Sequence, residues 1–330
     1  MPIGLLYAGT YPMEEFLQLA TIAEDVGFNS IWLTEEFIYR DPMVLAASLL
    51  QITKKIRVIP GPVSPYFKHP VAIAREMLSL CEIGKYRLGL QLGVGDINGL
   101  KLMGVDISNP LETVEESTQT IRALLSGERV NTKDGFWNLS DIQMVLGGKE
   151  KIPIYIAAMG KKMLALSRRI GDGTILSHMV SVPFIRKSIE MVQSLPNIDK
   201  SSYHEFYGFF AVSVADTREL AYDQIRPAVA HWLGVLYPQP VHLEDWRMSE
   251  LDVDHLGIYH ASHEHDLEKA CGLVNNKILQ TLSVSGTPTD FMERISQYLD
   301  AGVTYPVIGP IGNLETKIRT VRLAGKTFGE

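Results

Sequence analysis

Short runs of apolar residues alternate along the chain with longer stretches whose apolar positions recur every three to four residues. Ile3 to Ala8 is the first run and predicts a buried strand. From Met13 to Val26 the spacing is helical, with Phe16, Leu17, Ala20, Ile22 and Ala23 on one face and Gly27 as the stop. Ser30 to Thr34 reads as the next strand and Pro42 to Gln51 as the next helix. The alternation continues with a strand over Ile56 to Val63, a helix over Pro70 to Ile83, a strand over Arg87 to Leu92 and a helix over Pro110 to Ser126. Residues 128–150 are polar and turn-rich, with short strand-like pieces. Beyond them, strands predicted at Pro153–Ala157, Gly173–Leu176 and Phe206–Val214 alternate with helices at Lys161–Ile170, Val182–Leu195 and Thr217–Leu236. A helix at Pro288–Leu299, a strand at Tyr305–Ile308 and a helix at Leu314–Leu323 complete the pattern.

Buried apolar strands separated by helices pair in parallel, and eight such units predict an α/β fold of the (β/α)8 TIM-barrel type. A doubly wound open sheet would want a glycine-rich fingerprint after the first strand, and Ala8-Gly9-Thr10-Tyr11-Pro12 lacks it. The expectation is one domain over residues 1–330, with insertions at about 128–150 and 237–285. The second insertion either walls the barrel mouth or makes a surface excursion.

Composition narrows the partners. A chain of 330 residues that is 46% hydrophobic and 21% charged is not a disordered one. A net charge of −7 argues against general binding to nucleic acid or anionic membranes. Apolar stretches such as Val44 to Ile52 fall far short of the ~20 residues that a membrane span needs. Met1 to Tyr7 carries no positively charged leader region, so a cytoplasmic location is expected. Two cysteines, Cys81 and Cys271, cannot build a disulfide framework and are expected to be small buried hydrophobes. The run His260-Ala261-Ser262-His263-Glu264-His265 lacks the carboxylate and histidine spacing of known metal motifs and is expected to be a solvated cluster. No metal is expected.

In a barrel, chemistry collects where the strands end. After strand two stand Glu35 and Glu36, adjacent carboxylates that suit an acid, a base or a hydrogen-bond acceptor. A salt bridge to a neighbouring loop is the plainer role. Strand three ends in Pro60-Gly61-Pro62-Val63-Ser64-Pro65, where proline drives the chain out of the sheet and Gly61-Pro62 is a candidate cis bond. Strand four ends in Gly93-Val94-Gly95-Asp96. Glycines there admit a flat ligand close to the backbone, with Asp96 over the mouth or merely capping a turn. Strand five runs through Ala158, Met159, Gly160, Lys161 and Lys162 into a helix, a place where exposed N–H groups and lysines suit a phosphate. Strand six ends at Ser177 and His178, two further groups able to donate to a ligand.

The order and spacing of several segments carry a resemblance. They are Ala23-Glu24-Asp25-Val26-Gly27-Phe28 before Ile31-Trp32-Leu33-Thr34, then Pro60-Gly61, Pro65-Tyr66 and His69-Pro70. Leu88-Gly89-Leu90 leads into Gly93-Val94-Gly95-Asp96, and Ile152 to Ala158 with Gly160 precedes Gly171-Asp172-Gly173. Gly286-Thr287-Pro288 and Ala301-Gly302-Val303 follow late in the chain. Together they resemble the bacterial-luciferase-like superfamily, more closely its coenzyme F420-dependent branch, and within it the methylenetetrahydromethanopterin reductases. The resemblance implies a TIM barrel that binds a deazaflavin, or FMN, at its mouth. It implies a cis peptide in a bulge of strand three behind the ring, which falls on Gly61, Pro62 and Val63. Gly95, Ser177 and the phosphate-binding run Ala158, Met159, Gly160 and Lys161 complete the implied cofactor site. The implied reaction is hydride transfer between F420 and a small organic substrate, with a pterin-linked one-carbon unit as the reductase version. Asp96 matches the reductase pattern. Glu36 stands where the family commonly has a histidine, and Leu6 where the reductases have a glutamate. Asp96, Glu36 and Glu35 are therefore the candidates for proton handling. An FMN-dependent monooxygenase and a flavin-binding protein without turnover are the alternatives on the same barrel. A homodimer paired through barrel helices is also implied.

Overall fold

A computed structural model describes residues 1–8, 11–35, 38–133, 135–148, 151–195, 204–236 and 239–329. Strands β1 (Gly4–Tyr7), β2 (Ser30–Leu33), β3 (Arg57–Pro60) and β4 (Leu90–Leu92) precede a small antiparallel hairpin of β5 (Val130–Thr132) and β6 (Leu139–Ile142). Strands β7 (Ile154–Ala157), β8 (Gly173–Leu176), β9 (Glu205–Val214), β10 (Val284–Gly286) and β11 (Tyr305–Pro310) follow. The parallel order is β3-β2-β1-β11-β9-β8-β7-β4, with β10 beside the far end of β9. Bridges from Val58 to Leu88 and from Val63 to Leu92 bring β3 alongside β4, and the eight-strand barrel is nearly closed. All eight predicted barrel strands are present, and the helices between them fall where the apolar periodicity put them.

Two layers of packing hold this barrel. Outside the strands, helix faces such as Phe16, Leu19, Ala20 and Ala23 are buried against the sheet. Inside, Trp32, Tyr155, Tyr207, Phe209 and Tyr305 fill the lumen with Leu6, Ile59, Ile175 and Val307. Large aromatics bury much area here but bring polar atoms with them, and those atoms find partners. Trp32 Nε1 donates to Ser30 Oγ at 2.7 Å, Ser30 Oγ pairs with the Tyr305 hydroxyl at 2.8 Å, and Arg57 donates to the Tyr155 hydroxyl at 2.8 Å. Gly4 makes room for the indole, since a Cβ there would lie 2.7 Å from Trp32 Nε1. The packed lumen forces any ligand to the rim.

The insertions differ from each other. Residues 130–142 contain the hairpin, in keeping with their strand-like pieces. Between 240 and 282 the chain forms four short helices, Pro240–Met248, His255–His263, Leu267–Gly272 and Asn276–Leu282, which the sequence had not suggested. Trp246, Ile258, Ala261, Ile278 and Leu279 bury against Ile225, Val229 and Leu233 of the long helix Arg218–Leu236. His260, His263 and His265 are exposed. Cys81 and Cys271 are only half-buried, not core residues, because each sits where its helix meets the surface. Among the described residues no helix is long and apolar enough to cross a membrane.

Candidate active site at the barrel mouth

The chain leaves β3 through a cis Gly61–Pro62 bond. Gly61 has φ +114°, and a Cβ there would lie 2.3 Å from the Gln91 carbonyl oxygen, so no other residue fits. Val63 N–H donates to that same carbonyl at 2.9 Å. Gln91, fully buried, donates its side-chain amide to the carbonyls of Ile59 at 2.7 Å and Leu33 at 3.3 Å. It thereby ties together the ends of β2, β3 and β4. Next to it, Gly93 lies between Ala157 and Pro62, with a Cβ position only 3.1 and 3.3 Å from their Cβ atoms. Gly95, at φ +88°, packs against Ser64, whose hydroxyl donates to the Val94 carbonyl at 2.6 Å. The bulge and the loop after β4 are thus one interlocked surface, made largely of backbone.

Of the three carboxylates expected here, Glu35 and Asp96 fall in separate settings. Glu35 sits at the end of β2 and accepts the Ser64 N–H on Oε2 at 2.9 Å. Its Oε1 is buried with no partner among the described residues. Burial pushes its pKa up to about 7, against the opposing pull of the Ser64 N–H and Lys68. Lys68 is itself neutralised by Asp41 at 3.0 Å and Glu76 at 3.1 Å. Glu36 lies outside the described residues. Asp96 is half-buried and caps the helix Ile97–Leu102, accepting from Asn98 N and Gly99 N at 3.0 Å each.

The loop after β7 leads through Ala158 and Met159 to Gly160, which opens the helix Lys161–Ile170. No side chain among the described residues caps that helix. Lys161 and Lys162 occupy its first turn, where the helix dipole disfavours cations unless an anion is present. A cavity of about 1040 Å³ runs outward from this turn, lined by Val94, Met159, Gly160, Lys161, Phe184 and Lys187 among others. Its outer wall is the insertion helix Pro240–Met248, whose Glu244 meets Lys187 at 2.8 Å. The next residue fixes that wall in place. Asp245 is fully buried and accepts from both the N–H (3.1 Å) and the hydroxyl of Ser181, which caps the helix Val182–Ser194. Burial raises the Asp245 pKa to about 6. The first helix of the second insertion thus lines this cavity, while its other helices pack on the long helix Arg218–Leu236. Ser177 is half-buried at the end of β8, and beside it His178 packs edge-on against Trp232, ring centres 4.9 Å apart.

Gln91, Ser64, Lys187 and Asp245 were not foreseen. Gln91 carried a signal, being the one polar residue in Leu88-Gly89-Leu90-Gln91-Leu92. Asp245 carried none, since its partner lies 64 residues away.

A parallel barrel with a glycine-built rim, an enclosed carboxyl and a basic helix start defines a class. The chain matches the family model described as luciferase-like monooxygenase over residues 4–305, and it belongs to that family. Among its relatives, the 5,10-methylenetetrahydromethanopterin reductase of Archaeoglobus fulgidus is 30% identical over 322 residues, 96% of this chain and 94% of that one. The F420-dependent glucose-6-phosphate dehydrogenase of Amycolatopsis mediterranei is 22% identical, over 93% of this chain and 91% of that one. Among solved structures, the coenzyme F420 dependent tetrahydromethanopterin reductase of Methanopyrus kandleri has the same fold, with a TM-score of 0.87 at 21% identity, over 98% of this chain and 97% of that one.

Proposed function

We propose that this protein is a coenzyme F420-dependent oxidoreductase that passes hydride between the deazaflavin and a pterin-linked one-carbon unit. The observation that carries the proposal is the interlocked glycine surface at Gly61, Gly93 and Gly95, beside the buried Oε1 of Glu35, which has no partner among the described residues. The residues present fit the cofactor. A surface without side chains suits a flat ring, and the uncapped helix start with Lys161 and Lys162 suits a phosphate. Gly61, Pro62, Val63 and Gly95 would hold the ring, with Ser177 at its edge. Ala158, Met159, Gly160 and Lys161 would hold the phosphate. When bound, F420 supplies the ring carbon that carries the hydride.

The chain's own contribution is orientation and one proton. With a pKa of about 7, Glu35 holds a proton on a substantial fraction of molecules at neutral pH, as a general acid must. Its Oε1, without a partner among the described residues, is the atom from which that proton would reach the substrate nitrogen released as its carbon–nitrogen bond breaks and the carbon gains hydride. Leu6 leaves β1 without a carboxyl, which puts this duty on the end of β2. Asp96 orients the substrate from the loop after β4 while capping its helix. Glu36 follows Glu35 directly and shares in the proton supply. The same reading makes the chain a single cytoplasmic domain that does not bind nucleic acid and acts as a homodimer. Val44, 66% exposed on the helix Pro42–Ile52, supports pairing through the barrel helices.

The direct assay mixes reduced F420, 5,10-methylenetetrahydromethanopterin and the purified protein, and follows oxidised F420 by its absorbance. Catalysed, substrate-dependent reoxidation is the expected result. Failure with F420, together with oxygen-dependent oxidation of reduced FMN, would replace this proposal with the monooxygenase one.

A further inference from the structure

Across the mouth from the glycine surface lies a small enclosed recess of about 30 Å³. It is bounded by the ends of β1, β9 and β11 and by the long helix Arg218–Leu236, with Leu6, Tyr11, Thr34, His178, Trp232 and Pro310 in its wall. Two of these residues bring polar atoms that no described residue satisfies, the Tyr11 hydroxyl and His178 Nε2. Both atoms are buried. Leaving such atoms unpaired costs about 1–3 kcal/mol each, so two on residues that line one recess call for a hydrogen-bonding partner there.

The surroundings fix both rings and leave their polar tips unused. Tyr11 is anchored through its carbonyl, which accepts the Tyr7 hydroxyl at 2.7 Å, and its ring meets that of Tyr7 edge-on at 4.7 Å. Lys317 Nζ lies 4.1 Å from the centre of the Tyr11 ring, yet its charge is taken by Glu15 at 2.8 Å. His178 is held edge-on by Trp232. Burial lowers the His178 pKa to about 4 and pushes the Tyr11 phenol well above its ordinary value, so both groups are neutral near pH 7. A neutral imidazole and a phenol can each donate or accept. The described wall holds no lysine or arginine, and a desolvated anion without a counter-charge is strongly disfavoured.

We infer that Tyr11 and His178 are the specificity-determining pair, which recognises an uncharged polar atom at the reacting end of the substrate and turns away a phosphate there. The inference rests on the proposed site, with the cofactor on the opposite side of the mouth. Its test uses the whole protein in four forms: wild type, Tyr11→Phe, His178→Phe and His178→Gln. Calorimetry measures tetrahydromethanopterin and glucose 6-phosphate binding, fluorescence measures F420 binding, and thermal melting measures the free protein. Tyr11→Phe and His178→Phe should each weaken tetrahydromethanopterin about tenfold, the equivalent of one lost hydrogen bond to a satisfied partner, with F420 affinity unchanged within about twofold. His178→Gln, which keeps a donor and an acceptor, should recover most of the loss. Tyr11→Phe should also raise the melting temperature of the free protein, because it removes an unsatisfied hydroxyl; a merely structural tyrosine would lower it. Unchanged tetrahydromethanopterin binding in both phenylalanine variants overturns the inference. So does an equal loss of F420 affinity, which would give the recess to the cofactor, or wild-type binding of glucose 6-phosphate that Tyr11→Phe weakens. If wild type binds tetrahydromethanopterin but not F420, the cofactor assignment fails while the recess is still judged by the calorimetry.

Discussion

Between β3 and β7 the mouth is walled by backbone: Gly61, Gly93 and Gly95 expose main chain, and Gly160 opens an uncapped helix beside two lysines. From β8 round to β1 the mouth is walled by side chains: Leu6, Tyr11, His178, Trp232 and Pro310 enclose a recess with two neutral polar atoms. Glu35 stands where the halves meet, at the end of β2. The difference has a physical consequence. A backbone surface locked by close contacts tolerates almost no substitution and suits a ligand of fixed shape. A side-chain surface can be altered one residue at a time, and so suits the partner that differs from one enzyme to the next.

The harshest way to break the comparison is Gly61→Ala. With a Cβ 2.3 Å from the Gln91 carbonyl and φ at +114°, the bulge must move. A stability loss of about 3 kcal/mol or more is expected in urea unfolding, with F420 binding lost as well. Gly160→Ala sharpens the contrast: no described residue lies within 4 Å of its Cβ position, so the substitution should cost only about 0.5–1 kcal/mol, the difference between glycine and alanine at a helix N-cap.

Glu35→Gln should come next, lowering turnover about 100-fold or more while F420 and substrate affinities hold. In the wild type, turnover in the reductive direction should fall as pH rises past about 7, where Glu35 loses its proton. Stability follows the same group. Its pKa is raised on folding, so its favourable contribution is complete below the unfolded value and is lost as pH rises through about 7. That is about 3 kcal/mol across the interval, and chemical denaturation at pH 5 and pH 8 should show the difference shrinking in Glu35→Gln.

Lys161→Ala is expected to be milder, weakening F420 by about fivefold, with less effect in high salt and none on tetrahydromethanopterin. Asp96→Asn should be mildest for the fold. Asparagine caps helix starts well but has one acceptor oxygen, so it keeps one of the two capping bonds that Asp96 makes and the melting temperature should fall only slightly. Turnover should then drop by more than F420 affinity does, and equal activity would leave Asp96 with its capping role alone.

Much of the barrel was legible because each strand and helix announces itself locally. Buried parallel strands are apolar throughout, and helices of ten residues or more show their period. The Gly61–Pro62 cis bond was legible for the same reason, since it follows from a strand end and its residue types. The helices between 240 and 282 were not, being 6 to 9 residues long and too short for a period to emerge. Contacts across long loops left no trace either. Asp245 holds Ser181, and His178 meets Trp232, through packing that no local pattern encodes. Asp96 shows the remaining difficulty. Its sequence position suits a helix cap and a catalytic carboxylate equally, and the geometry adds the cap without removing the other role.

The division of the mouth turns on which cofactor the backbone half accepts. Fluorescence titration of the purified protein with F420, and separately with FMN, measures this directly. Micromolar or tighter binding of F420, with FMN at least tenfold weaker, is the predicted result. Tighter binding of FMN, or of neither, would contradict it.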